Sequence, residues 1–351
     1  MKLDIAPTAE YPRHSEGDTI RLADGRMLLA WTRFRGREDH ATAEIVGMIG
    51  ENVADGNGDG PTWQWSEPAV LVSAQEAQQN VMSVSLLREA TSRDLLLFYL
   101  RKNSFADCCV FMRRSTDEGR SWGEAEPVCQ TGGYHVMNNA RVVQTEAGRL
   151  LAPVALTQDY TRSRHQTAFC YLSDDGGVSW RPSLGWVDLP NSVVGCQEPG
   201  VVEHDDGLLL YVRTDLGHVY ASTSPDGGET WGVPQPLYDL PAPAAPATLA
   251  RLPDGGDQSA LIAIYNHRPD GATAGWADRT PLALARSDDQ GSRWRRLADI
   301  ESDPQYCYGY TSIRVEDDMV WLSYYVWPRQ AEASFLNTGL RLRALPLSRF
   351  C

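Results

Sequence analysis

Six short segments stand at matching places, each at the head of an apolar run: Glu16 to Asp18, Asn80 to Ser83, Asn138 to Asn139, Gln197 to Glu198, Pro243 to Pro246 and Tyr308 to Tyr310. Five of the six carry polar or ionisable side chains. Carboxyl, amide and phenol groups hydrogen-bond a polar ligand, and the carboxyls and phenols also exchange protons. If each apolar run is the innermost strand of one repeating unit, these heads converge on a single funnel, and their shared phase predicts a concave, ligand-sized site. Tyr306, Tyr308 and Tyr310 alternate, which places three rings on one face of a strand, and Gly309 permits close approach. The seven cysteines form neither a CxxC pair nor a zinc-ligand pattern, so no disulfide framework, metal or cofactor is expected.

Groups spread this widely along a chain need a regular scaffold to bring them together, and an internal repeat supplies one. The pattern SxDxGxxW occurs four times: Ser115, Asp117, Gly119, Trp122; Ser173, Asp175, Gly177, Trp180; Ser224, Asp226, Gly228, Trp231; and Ser287, Asp289, Gly291, Trp294. A degenerate copy keeps Gly60 and Trp63 but has Gly58 in place of the aspartate. The tryptophans recur at roughly 58-residue intervals, which makes about six units in all. In each turn the aspartate is expected to accept backbone N–H bonds, the glycine to take a positive φ, and the tryptophan to plug the turn onto the sheet below. Short aliphatic runs such as MLLAW, LLLFYL, RLLAPVAL and MVWLSYY lie between the boxes, bounded by Gly, Asp and Pro clusters. The expected fold is all-β: a six-bladed β-propeller of four-stranded antiparallel blades, one domain over residues 1–351. LRLRALPL or DIAPTAEY would supply the strand that closes the ring.

Composition narrows the partners. The chain carries 32 basic and 46 acidic side chains, a formal charge of −14, which repels nucleic acid and anionic membrane surfaces. Hydrophobic residues at 42% and charged residues at 22% argue against disorder, and no apolar run is long enough for a membrane helix. The first residues lack the apolar core of a secretory signal, so a cytoplasmic location is expected. Lys2 and Lys102 are the only lysines; nearly all positive charge is arginine, whose forked donors suit carboxylates.

The repeated box resembles the Asp-box of the sialidase (neuraminidase) superfamily, whose catalytic domain is a six-bladed propeller. The resemblance covers nearly the whole chain and implies a glycan partner. QEPGVVEHDDGLLLYVRT is similar to the segment in which a glutamate opens the fourth inner strand and an arginine follows a hairpin, which implies roles for Glu198 and Arg213. DRTPLALARSDDQG resembles the strand that carries another arginine, matching Arg279; YGYTSI resembles the segment of the nucleophilic tyrosine, matching Tyr310. RFRGREDHATAEI is similar to the loop of the acid/base aspartate, matching Asp39, with Arg33 or Arg35 nearby.

These types suit the chemistry the resemblance implies. A tyrosine with an ordinary pKa of about 10 needs a base to take its proton, the role of Glu198. Tyrosine tolerates an anomeric carbon bearing a carboxylate, which arginines clamp by bidentate bonds. Asp39 would protonate the leaving oxygen, which asks for a pKa raised by burial. One departure stands out: Glu16 occupies the place of the first carboxylate-binding arginine of the family. Either Arg13 reaches in, or the substrate is not a sialic acid. The expected activity is an exo-acting glycosidase on a terminal sugar, acidic sugars included. Catalysis would fall to Asp39, Glu198 and Tyr310, and substrate binding to Arg213, Arg279, Glu16, Asp18, Arg35, Asn80, Asn139, His135, His267, Arg268 and Tyr308. Tyr308 and Tyr310 are expected to form a sugar-stacking wall. Two alternatives stay open: a polysaccharide lyase acting on uronates through Tyr310, Arg213, Arg279, His135 and His267, or a non-catalytic carbohydrate-binding propeller.

Overall fold

The computed structural model describes residues 1–53, 62–253, 260–269, 279–329 and 337–351. Its strands form several hydrogen-bonded sheets, nearly all antiparallel. The last sheet pairs β1 (Lys2–Ile5) with the three closing strands of the chain. The next sheet along the chain joins β2 (Arg13–Arg21), β3 (Met27–Phe34), β4 (Ala43–Val53) and β5 (Thr62–Trp65), with β6 (Ala69–Val72) also on β4. A larger sheet holds β7 (Asn80–Arg88), β8 (Leu95–Ser104) and β9 (Asp107–Ser115) with β10 (Glu126–Pro127), then β11 (Gly133–Val136), β12 (Val143–Gln144), β13 (Leu150–Thr157), β14 (Thr167–Ser173) and β15 (Arg181–Pro182). Its halves meet only where β11 runs parallel to β9, pairing Gly133 with Asp107 and Tyr134 with Cys108.

Two further sheets are up-and-down meanders. One is β16 (Gln197–His204), β17 (Gly207–Arg213), β18 (His218–Ser224) and β19 (Gln235–Pro241); the other is β20 (Thr248–Arg251), β21 (Leu261–Asn266), β22 (Leu282–Ser287) and β23 (Arg295–Glu301). The closing strands are β24 (Tyr306–Glu316), β25 (Met319–Pro328) and β26 (Gly339–Pro346). Lys2 to Ile5 pair with Arg343 to Leu340, so the two ends of the chain meet in one sheet.

Second strands such as LLLFYL and LLLYVR read as continuous apolar runs because neighbouring sheets cover both their faces. First strands pack against one another: the Ala140 N–H bonds the Val84 carbonyl at 2.9 Å, and the Thr248 hydroxyl bonds the Thr311 carbonyl at 2.6 Å. The first and last sheets meet where Trp63 packs edge-on against Trp321 at 4.9 Å. Gly58 and Gly60 of the degenerate box lie outside the described residues. Among the described residues no helix is long and apolar enough to cross a membrane.

The four SxDxGxxW turns share one hydrogen-bond pattern. In the third, the Ser224 hydroxyl donates to Asp226 at 2.7 Å and accepts from the Gly228 N–H at 2.9 Å, while Asp226 accepts the Thr230 N–H at 3.0 Å. Gly119, Gly177, Gly228 and Gly291 have φ of 77° to 91°, a region that costs a side-chain-bearing residue steric energy. Hydrogen bonds outweigh partial burial and draw the Asp226 carboxyl down to about 2.

Asp226→Ala is expected to lower unfolding stability by on the order of 1–2 kcal/mol at neutral pH. Because the folded carboxyl titrates near 2 against an ordinary 3.8, this contribution is present above about pH 4 and fades as pH falls toward 2. Urea melts at several pH values check both; an unchanged midpoint at neutral pH would contradict the role.

Candidate active site

Four of the first strands, β2, β7, β16 and β24, break their pairing with their neighbour at matching places. The register shifts between Ser15 and Asp18 in β2, Met82 and Ser85 in β7, Gln197 and Gly200 in β16, and Gly309 and Ser312 in β24. At each break one residue is left-handed: Glu16 at φ 53°, Ser83 at 65°, Glu198 at 45° and Tyr310 at 58°, with Ala140 at 54° just before β12. None is glycine, so each carries a steric cost of roughly 1–2 kcal/mol. A bulge re-aims a side chain. All four strand residues, Glu16, Ser83, Glu198 and Tyr310, line one cleft of about 340 Å³.

The bulges are tied to one another. The amide of buried Asn139 donates to the Gly17 carbonyl at 2.8 Å and to the Tyr310 carbonyl at 3.1 Å, and the Ser323 hydroxyl also donates to Gly17 at 2.9 Å. Ser83 Oγ donates to Glu16 at 2.9 Å. The Tyr310 ring stacks on Tyr325, centroids 4.5 Å apart and planes 17° from parallel.

Charge is arranged in ion pairs, with Asp39 about half exposed and Arg213 and Glu198 partly buried. Arg13, 1% exposed, bonds Asp39 at 2.6 Å; Arg213 bonds Glu198 at 2.9 Å. Asp39 sits in the β3–β4 loop with its side chain about half exposed at the cleft, and its carbonyl accepts from Asn80 at 2.9 Å and Lys102 at 3.2 Å. Arg279 donates to the Ala244 carbonyl at 2.9 Å and lies 5.3 Å from the centre of the Tyr310 ring.

The two carboxyls differ sharply. Burial works to raise Asp39, but Arg13, helped by Lys102 and Arg213, outweighs it and holds the group below the usual carboxylate range. Burial pushes Glu16 up to about 7 against the pull of Arg13, and the charge of Asp39 adds to the rise. The raised pKa expected for Asp39 is therefore corrected: its ion pair keeps it ionised, and Glu16 is the carboxyl that holds a proton near neutrality. Burial, then the charge of Glu198, pushes the Tyr310 phenol up, so its proton leaves only to an adjacent base.

Of the other residues singled out from sequence, Arg213 and Glu16 line the cleft and several do not. Asp18, one position beyond its bulge, accepts the Thr19 and Leu86 N–H groups at 2.8 Å each. Asn80 and Asn139 hold backbone rather than facing the cavity. Arg35 is exposed and paired with Glu10 at 2.6 Å. His135 lies fully buried between Tyr134 and Val136, because strand alternation turns it away from the face they present to the cleft. His267 bonds the Tyr265 hydroxyl, and the Arg268 N–H bonds the Pro241 carbonyl; neither lines the cleft. Tyr308 is in an apolar core beside Tyr324, because the bulge after Gly309 breaks the alternation that would have aligned it with Tyr310.

The aromatic wall lies elsewhere. Phe105 and Tyr134 stack at 6.3 Å, Tyr134 and Tyr160 at 5.0 Å, and Lys102 sits 4.8 Å from the Phe105 ring centre. All four line the cleft, with His40, Arg164 and Gln166. One signal for this wall was in the sequence: Lys102 is one of two lysines and lies just past the apolar run LLLFYL.

Glu16 titrates near 7 when folded against an ordinary 4.5. Ionising it favours unfolding, so it costs stability at up to ~1.4 kcal/mol per pH unit as pH rises between those values. Glu16→Gln removes the slope. The stability gap in favour of the variant is expected to widen between about pH 5 and pH 8 in urea melts; a constant gap would contradict the burial of an ionisable Glu16.

Comparison with known proteins agrees with this architecture. Residues 17–322 match the family model described as "BNR repeat-like domain". The anhydrosialidase of Macrobdella decora is 31% identical over 183 residues, 48% of this chain and 23% of that protein. Sialidase-4 of Homo sapiens is 26% identical over 292 residues, 68% of this chain and 57% of that protein. The chain thus spans about a quarter and just over half of these two relatives. Among solved structures, a leech intramolecular trans-sialidase complexed with 2,7-anhydro-Neu5Ac superposes with TM-score 0.73 at 16% identity, covering 98% of this chain and 69% of the other. Trypanosoma rangeli sialidase in complex with sialic acid gives 0.72 at 16%, covering 96% and 54%. A protein of unknown function from Dyadobacter fermentans gives 0.69 at 17%, covering 97% of both chains. With its family match spanning most of its length, the chain belongs to the BNR repeat-like family of the sialidase superfamily.

Proposed function

We propose that this protein is an exo-acting glycosidase, a single domain whose sheets are the blades of a six-bladed propeller closed by β1, with a terminal sugar held in the cleft. The observation that carries the reading is the delivery of Glu198 and Tyr310 to one cavity by bulges on strands far apart in sequence. Glu198 takes the phenolic proton while Tyr310 attacks the anomeric carbon, and the Phe105, Tyr134 and Tyr160 wall stacks against the sugar. Asp39 rests ionised on Arg13, so proton donation to the leaving oxygen falls to Glu16. A protonated Glu16 also tolerates a substrate carboxylate. Above about 7 it repels one, and Arg13 and Arg213 already hold protein carboxylates. Neutral sugars are therefore favoured at alkaline pH and acidic sugars only below it. The lyase reading loses its histidines, since His135 and His267 stand outside the cleft.

A panel of aryl glycosides, neutral sugars and a sialoside included, tests the reading. Tyr310→Phe and Glu198→Gln are each expected to cut turnover by orders of magnitude with the fold intact by circular dichroism. Glu16→Gln is expected to slow poor leaving groups more than activated aryl ones, since a good leaving group needs no proton. Full activity in Tyr310→Phe would reject the glycosidase mechanism; the leaving-group effect in Asp39→Asn alone would return proton donation to Asp39.

A further inference from the structure

Behind the cleft wall, Cys109 of β9, Cys129 and His135 of β11 bring two thiol sulfurs and a ring nitrogen within 4.8 Å of one another. Continuing the β9–β10 register, in which Pro127 faces Phe111, sets Cys129 opposite Cys109. The Val110 N–H bonds Cys129 Sγ at 3.0 Å, which holds that sulfur in place. His135 Nδ1 lies 3.0 Å from the Cys108 carbonyl, an acceptor only, so Nδ1 carries the proton and Nε2 the lone pair. A backbone carbonyl on the far ring nitrogen is the arrangement that orients metal-binding histidines.

We propose that Cys109, Cys129 and His135 bind a thiophilic divalent cation of the zinc type. Two sulfurs and one imidazole select against magnesium and calcium, which take oxygen ligands. Tetrahedral Zn–S and Zn–N bonds of about 2.3 and 2.0 Å put ligand atoms roughly 3.5–3.8 Å apart. Small side-chain rotations reach that from the present spacing. The Tyr171 hydroxyl, 3.0 Å from Nε2, would turn to Thr131, 2.9 Å away, and free the lone pair. Cys109 is only partly buried and Thr131 is exposed, which gives an ion a way in and leaves a fourth position for water.

The consequence is mechanical. The trio spans the junction where β11 meets β9 through two residue pairs, and Tyr134 and Val136 on either side of His135 line the cleft. A bound ion would clamp that wall from behind. Sequence spacing gave no hint of it, since the ligands meet only through strand pairing.

The test titrates cobalt(II) into the reduced, metal-stripped full chain in a Cys351→Ser background. One equivalent is expected to give a thiolate-to-cobalt charge-transfer band that zinc abolishes, and zinc is expected to raise the melting temperature. Cys109→Ser, at a partly exposed position, should keep the fold and weaken binding by more than the about 10–100-fold seen on losing a mere second-shell partner. Absence of the band, a band unchanged in Cys109→Ser, or a Cys109–Cys129 disulfide by intact mass before reduction would each overturn the proposal.

Discussion

Everything at the candidate site depends on one backbone constraint: a left-handed, non-glycine residue at the matching bulge of four first strands. In regular pleating, side chains at alternate positions face the two neighbouring sheets and stay in apolar core. The bulge at Glu16, Ser83, Glu198 and Tyr310 takes one side chain per strand out of that alternation and delivers it to the cavity. The steric cost is borne because the bulges brace each other, Asn139 bridging the Gly17 and Tyr310 carbonyls. Strain of this kind persists only where the surroundings over-determine it.

The electrostatics follow from the same convergence. Bringing Glu16, Asp39 and Glu198 to one cavity requires compensation, and Arg13 and Arg213 provide it for Asp39 and Glu198 through direct ion pairs. Glu16, which bonds Ser83 where Asp39 and Glu198 each bond an arginine, is pushed up to about 7 by burial and keeps its proton instead. Asp39 and Glu16 thus hold opposite protonation states near neutrality, the division of labour that acid–base chemistry needs.

Much of this was legible in the sequence. The SxDxGxxW boxes marked the turns, since aspartate, glycine and tryptophan each have one physical job there, and the phase of polar residues fell within about four residues of the strand heads. What spacing could not show was the bulge. Strict alternation groups Tyr308 with Tyr310, whereas the left-handed turn at Tyr310 sends the two rings to different places. The same limit misplaced Asp18, Asn139 and His135, polar residues beside the right position that satisfy backbone or lie behind the wall. Ion pairing was also hidden: Arg13 and Asp39 are 26 residues apart, and nothing in either segment announces a bond that reverses the expected pKa shift.

The central claim is that the bulge at Tyr310 presents a nucleophile to a sugar. Reaction with an activated fluorinated glycoside of a sugar the protein turns over, followed by peptide mapping, tests it most directly. The account predicts a glycosyl adduct on the Tyr310 hydroxyl. An adduct on Glu16, Asp39 or Glu198, or turnover of that glycoside with Tyr310 unmodified, would contradict it.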